Sequence, residues 1–233
     1  MKVRPSVSVS GFLIVILSLF GQVILAANLP DGFVDVHAVI PDMQLELRYL
    51  GDNNFLGKQV DGYVAERCIL TAEAAAALKG VQDDLKPFGL GVKIFDAYRP
   101  KRAVSHFVRW ARDLADTRMK ADFYPAVDKK DLFRLGYIAD KSSHSRGSTV
   151  DLTIVAQSGG QGFRELDMGT GFDLFSPDSW PVSSAVNAEQ RAHRLLLRSL
   201  MIRHGFVPYE QEWWHFTLAH EPYPDTYFDF SVQ

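Results

Sequence analysis

Two short stretches of this chain carry side chains that hold metals and move protons. The first runs Ser142-Ser143-His144-Ser145-Arg146-Gly147-Ser148-Thr149-Val150-Asp151, and the second, 61 residues on, is Glu212-Trp213-Trp214-His215. Two histidines and one aspartate make a zinc ligand set with its fourth position open, which separates a catalytic zinc from a structural one. Glu212 would stay off the metal, free to carry a proton. Gly147 permits a tight reversal, so a loop histidine can fold back over the start of the strand bearing Asp151. Taken alone, a His and an Asp at this spacing more often make a capped turn. Residues three apart in a regular strand face opposite sides, so Glu212 and His215 meet only where the backbone twists or bulges. Trp213 and Trp214 are expected to flank the site and exclude water, which would raise the Glu212 pKa toward neutrality. The competing reading of that stretch is an amphipathic edge strand. Arg99 lies between a strand and Pro100 at a helix start, where it suits an oxyanion; its plainer reading is a surface salt bridge with Asp96.

The elements that must position these residues read as one α+β domain without repeats or long linkers. Val34 to Tyr49 alternates in places and reads as strand, followed by a turn at Gly51-Asp52-Asn53-Asn54. Thr71 caps a helix through about Leu85, closed by Pro87 and Gly89. Leu90 to Phe95 is a short strand, and Pro100 opens a second helix to about Met119 with Ala103, Phe107, Trp110 and Leu114 inward. Val150 to Val155 is strand, and the glycine-rich segments at 159–162 and 168–171 are loops. Asn187 with Gln190 predicts a capping box for a third helix to about His204, ended by Gly205, with Leu195, Leu196, Leu200 and Met201 inward. Trp213 to Leu218 completes the strands.

Lys2 and Arg4 precede an apolar run from Gly11 to Ala27 that ends in small residues, the layout of a secretory signal peptide over 1–26. The competing reading is an uncleaved membrane anchor. Removing that segment leaves residues 27–233, enough for one domain with a full core, and moves the formal charge from −3 to −5. No basic stripe remains, which argues against nucleic acid as a partner. The single cysteine, Cys68, cannot form an internal disulfide, and export without disulfides suits a bacterial periplasm. Cys68 reads as a buried small hydrophobe, and His37, His106, His193, His204 and His220 read as structural or solvated. No His-Glu-x-x-His, Gly-x-Ser-x-Gly, Ser-x-x-Lys or P-loop pattern is present.

The pattern Ser-x-His-x-x-Gly-x-x-x-Asp followed by Glu-x-x-His resembles the zinc D-alanyl-D-alanine dipeptidases, the family that includes the vancomycin-resistance dipeptidase. So do Leu47-Arg48-Tyr49, Asp52-Asn53-Asn54-Phe55-Leu56-Gly57, Val60-Asp61-Gly62-Tyr63, Asp96-Ala97-Tyr98-Arg99-Pro100 and Asp167-Met168-Gly169-Thr170-Gly171-Phe172-Asp173, so that the resemblance covers Val34 to Ala219. It implies a Hedgehog or D,D-peptidase-like fold, with a small antiparallel sheet carrying the site and helices packed on it. It implies one Zn2+ per chain on His144, Asp151 and His215, with Glu212 as the base that also protonates the leaving amine and Arg99 on the oxyanion. Tyr49, Tyr63, Ser142 and Asp173 fall where the family contacts the dipeptide, with Asp173 suited to the substrate ammonium. The function implied is hydrolysis of D-Ala-D-Ala to two D-alanines by water, in cell-wall peptide turnover. The alternatives are a D,D- or L,D-carboxypeptidase or endopeptidase of this fold acting on peptidoglycan peptides, and a non-catalytic wall-binding zinc module. The export signal departs from the family members that work inside the cell, and predicts a periplasmic location with no stable membrane insertion after cleavage.

Overall fold

A computed structural model describes Met1 and residues 29–158 and 162–233. The signal-peptide reading and part of the 159–162 loop lie outside the described residues. In chain order the elements are β1 (Phe33–Asp35), α1 (Val36–Val39), β2 (Gln44–Leu45), β3 (Ile69–Thr71), α2 (Ala72–Leu85), β4 (Leu90–Asp96), α3 (Lys101–Arg112), α4 (Lys120–Phe123), β5 (Thr149–Gln157), β6 (Phe163–Glu165), α5 (Ala188–Arg203), β7 (Phe206–Pro208) and β8 (His215–Leu218). The main sheet has the order β2-β4-β5-β8-β7, with β6 added to the far end of β5, while β1 and β3 pair separately. Within the main sheet every pairing is antiparallel except β2 with β4. Strand β5 is buried continuously from Thr149 to Val155, as a central strand covered on both faces must be. Helix α2 packs on β4 and on α5. The expected α+β domain, a small sheet with helices packed on it, is therefore present.

Local chemistry sets several boundaries as expected. Thr71 caps α2 by accepting from the Ala74 amide, and the chain leaves the helix through Gly89 in the left-handed region at φ 68°. Asn187 and Gln190 form the reciprocal capping box of α5.

Four expectations are corrected. The strand expected over Val34 to Tyr49 is broken, because Asp35 caps α1 by accepting from the His37 amide. Beyond β2, only the Glu46 and Arg48 amides continue bonding to the carbonyls of Ile94 and Phe95. The second helix stops at Arg112 rather than Met119. There the Asp113 carboxylate accepts from the Ala115 amide, and the Lys129 ammonium takes the carbonyls of Asp113 and Asp116. Leu114 is consequently exposed, although Ala103, Phe107 and Trp110 are buried as expected. Helix α5 buries Met201 and packs Leu200 on the core as expected, but Arg194 and Leu197 complete its inner face, whereas Leu195 and Leu196 face outward. Finally, the last strand begins at His215, not Trp213, with Glu212 to Trp214 forming a turn before it.

Candidate active site

Three neighbouring strands bring the site together through their register. Asp151 on β5 pairs with Asp96 on β4 and with His215 on β8. Directly opposed residues in a sheet project from the same face, with Cβ atoms about 5 Å apart. The Asp96–Asp151 pairing exists because β4 carries an irregularity between Ile94 and Asp96, where it contributes one residue more than β5. His144 arrives from a 3-10 turn, Ser143–Arg146, entered through Ser142 and left through Gly147 at φ 85°. A Cβ on Gly147 would lie 2.2 Å from Phe33 Cε1, so this reversal against β1 requires glycine.

The two expected stretches therefore meet. His144 Nε2 lies 3.2 Å from Asp151 Oδ2, His215 Nδ1 lies 3.1 Å from Asp151 Oδ1, and the two imidazole nitrogens are 3.3 Å apart. Ligand atoms of all three residues fall within 4.8 Å of one another. His144 is fully buried and Asp151 nearly so. His144 Nδ1 donates to the Ala97 carbonyl at 2.7 Å, which leaves the Nε2 lone pair directed into the cluster. Among the described residues Asp151 Oδ1 is buried without a hydrogen bond; His215 is close to it but not aligned as a donor. A buried carboxylate whose two oxygens each face an imidazole nitrogen, one of them without a hydrogen bond, fits a divalent cation of zinc type.

Charges are held unevenly. Burial pushes the His144 pKa down, so the ring is neutral as a ligand must be. Burial also acts on His215, but Asp151 beside it outweighs that and raises it. Asp151 is pulled well below the usual carboxylate range, because the two imidazoles overcome the cost of burial. Glu212 sits in the turn before β8 with Oε2 3.5 Å from His215 Nδ1. Before any cation's charge is counted, burial lifts its pKa to about 7, and Asp151 adds to the effect.

Arg99 is neither exposed nor free. Its Nε donates to Asp96 Oδ2 at 2.8 Å, Nη2 is 3.5 Å from Asp151 Oδ2, and its guanidinium lies over the Tyr49 and Phe107 rings. The plainer reading named the right partner, Asp96, but set the pair on the surface; it lies in the wall of the site.

These groups bound a cavity of about 390 Å³, lined by Arg99, Asp151, Glu212 and His215 together with Tyr49, Ser142 and Asp173. Phe55, Phe107, Tyr137, Phe175 and Tyr209 supply its aromatic wall. Tyr49 donates to Asp173 Oδ2 at 2.8 Å; burial, then Asp151, hold the Asp173 carboxyl well above its usual range. Tyr63 is elsewhere. It does not line the cavity, and its hydroxyl donates to Asp96 Oδ1 at 2.6 Å, behind Arg99. Trp213 and Trp214 also lie outside the lining: Trp213 donates to Thr170 and Trp214 packs against Phe172. They support the turn from behind rather than seal the site.

Sequence reasoning undervalued Asp96, whose two oxygens fix Arg99 and Tyr63 and which lies 3.5 Å from His144 Nδ1. Its spacing from Arg99 was visible; the strand irregularity that turns it toward Asp151 was not. The remaining histidines stay apart, with His204 Nε2 on Asp84 and His106 Nδ1 accepting from the Asp61 amide.

A centre built this way is that of a metallo-hydrolase. The family model described as D-ala-D-ala dipeptidase, of the M15 peptidases, matches residues 30–233. A D-alanyl-D-alanine dipeptidase of Streptomyces coelicolor is 42% identical over 86% of this chain and 98% of its own length. One of Enterococcus faecalis is 39% identical over 87% of this chain and 98% of its own. A vancomycin-resistance D,D-pentapeptidase solved in complex with Zn(II) aligns at 15% identity and a TM-score of 0.40, over 68% of this chain and 77% of that one. The chain belongs to the D-Ala-D-Ala dipeptidase family of metallopeptidases.

Proposed function

We propose that this enzyme hydrolyses the D-Ala-D-Ala dipeptide to two D-alanines, using one zinc held by His144, Asp151 and His215. The observation that carries the reading is the convergence of ligand atoms of these three side chains beside the cavity, with Asp151 Oδ1 buried and without a hydrogen bond among the described residues. Zinc held there supplies a Lewis acid for the scissile carbonyl and acidifies water toward a pKa of about 7.

The chain's own residues do the rest. Glu212, with its raised pKa, takes a proton at its carboxylate and returns it to the leaving amine. Arg99, fixed by Asp96, offers its guanidinium to the developing oxyanion. Asp173, oriented by Tyr49, meets the substrate ammonium, whose positive charge opposes the burial that raises this carboxyl and favours its ionised form, and Ser142 contributes a hydroxyl 3.5 Å from Arg99 Nη1. Asp96 holds Arg99 from behind, with Tyr63 as its second anchor. A site that leaves such partners unpaired with the wrong ligand rejects it.

The basic N-terminus and apolar run support export, and hence recycling of D-alanine from wall-derived peptides in a periplasm. Residues 1–35 fused to a periplasm-dependent reporter are expected to direct it outward; a reporter retained in the cytoplasm would refute export. For the activity, D-alanine release from D-Ala-D-Ala is expected to vanish with chelator and return with zinc. Undiminished hydrolysis in metal-stripped protein would overturn the reading.

A further inference from the structure

The cavity is lined by three carboxylates, from Asp151, Asp173 and Glu212, and by two cations, from Arg99 and Lys141. Arg99 is committed to Asp96 and Asp151. Lys141 forms no ion pair among the described residues, and its ammonium lies 5.3 Å from the centre of the Tyr227 ring. A side recess of about 480 Å³ shares Val104, Lys141 and Ser142 with the cavity, and carries Lys101, Asp140 and Asp225 further out. Lys141 thus stands where the recess meets the cavity.

Its backbone is also fixed. The next residue, Ser142, caps the turn that bears His144 by accepting from the His144 amide at 3.3 Å. Beneath the lysine, Tyr227 is held by Arg146, which pairs with Glu221. The stem is therefore anchored beside the site while the ammonium keeps its reach.

A free dipeptide is a zwitterion. On the functional reading above, Asp173 meets its ammonium, and the carboxylate still needs a cation. We propose that Lys141 recognises the substrate's free α-carboxylate and so restricts the enzyme to peptides ending one residue beyond the scissile bond. The carboxylate's charge is the same in ground and transition states, so the contact lowers KM and leaves kcat nearly unchanged.

The test compares D-Ala-D-Ala with its C-terminal amide, on wild type, Lys141→Met and Lys141→Arg. The amide is read as a substrate or, where it is not cut, as a competitor of the free dipeptide. Lys141→Met is expected to raise KM for the free dipeptide about tenfold, the scale of one charge-assisted contact at an exposed group. Its kcat, and the KM or Ki of the amide, should hold, with Lys141→Arg restoring most of the preference. An active wild type whose Lys141→Met variant keeps its KM, or weakens both ligands equally, overturns the role of Lys141 alone. A wild type inert toward the free dipeptide overturns the functional reading, and this inference with it.

Discussion

Asp151 keeps its charge although burial works against it, because two imidazoles face its oxygens. Glu212, three positions before His215, is driven the other way by burial and Asp151. On the proposed mechanism, two carboxyl groups in one site thus divide into a holder of metal and a carrier of protons. Glu212→Gln is accordingly expected to lower kcat by about 10²–10⁴ while zinc content, by elemental analysis, stays at that of the parent protein. Loss of zinc from that variant would make Glu212 a ligand instead. The residue types and their order along the chain made His144, Asp151, His215 and Glu212 legible in the sequence. Tyr63 was not legible in the same way. Its motif gave its presence in the family pattern, but its placement behind Arg99 depends on Asp96, which reaches it across 33 positions of chain.

Elements matter here for how they aim these side chains. Gly147→Ala would force a left-handed φ on a Cβ and drive that atom into Phe33. The expected cost is about 2–5 kcal/mol, combining backbone strain and overpacking. A Tm lower by about 10 °C would record it. Arg194 serves the loop that carries Asp173. Buried in α5 without a carboxylate partner among the described residues, it donates to the carbonyls of Met168, Asp178 and Trp180 and to Thr170 Oγ1. Arg194→Met strands those carbonyls and should cost about 3 kcal/mol or more, read as a lower urea midpoint. This arginine also explains why Leu195 and Leu196 were wrongly expected on the inner face of α5. Hydrophobic periodicity favours the leucines, but a loop with unpaired carbonyls needed a donor, and the helix turned to supply one. The end of α3 was hidden for a similar reason, since the Lys129 contacts that stop it come from a later segment. Caps, by contrast, are local, and Thr71 and Asn187 were legible at once.

For the whole molecule, the cluster ties together β5, β8 and the turn before β5, so an ion bound there stabilises all of them. Zinc at a thousandfold its Kd would contribute about 4 kcal/mol to the folded state. Chelation is expected to lower Tm by about 10 °C in the parent and in Glu212→Gln, and to leave a zinc-free His144→Ala protein unchanged, as followed by calorimetry. Fold class was legible because strands and helices alternate with clear turn signals. Sheet order was not, because β5 ends at Gln157 and β8, which pairs with it, begins only at His215, a separation no periodicity spans. The row Asp96, Asp151, His215 also has a consequence for assembly. A slip of β8 by one residue would set Trp214 or Phe216 opposite Asp151 in place of the imidazole. Metal uptake is therefore a checksum on how the strands were threaded. In a refolding mixture, the fraction of molecules that takes up the ion counts those aligned correctly, even where misaligned ones are equally compact.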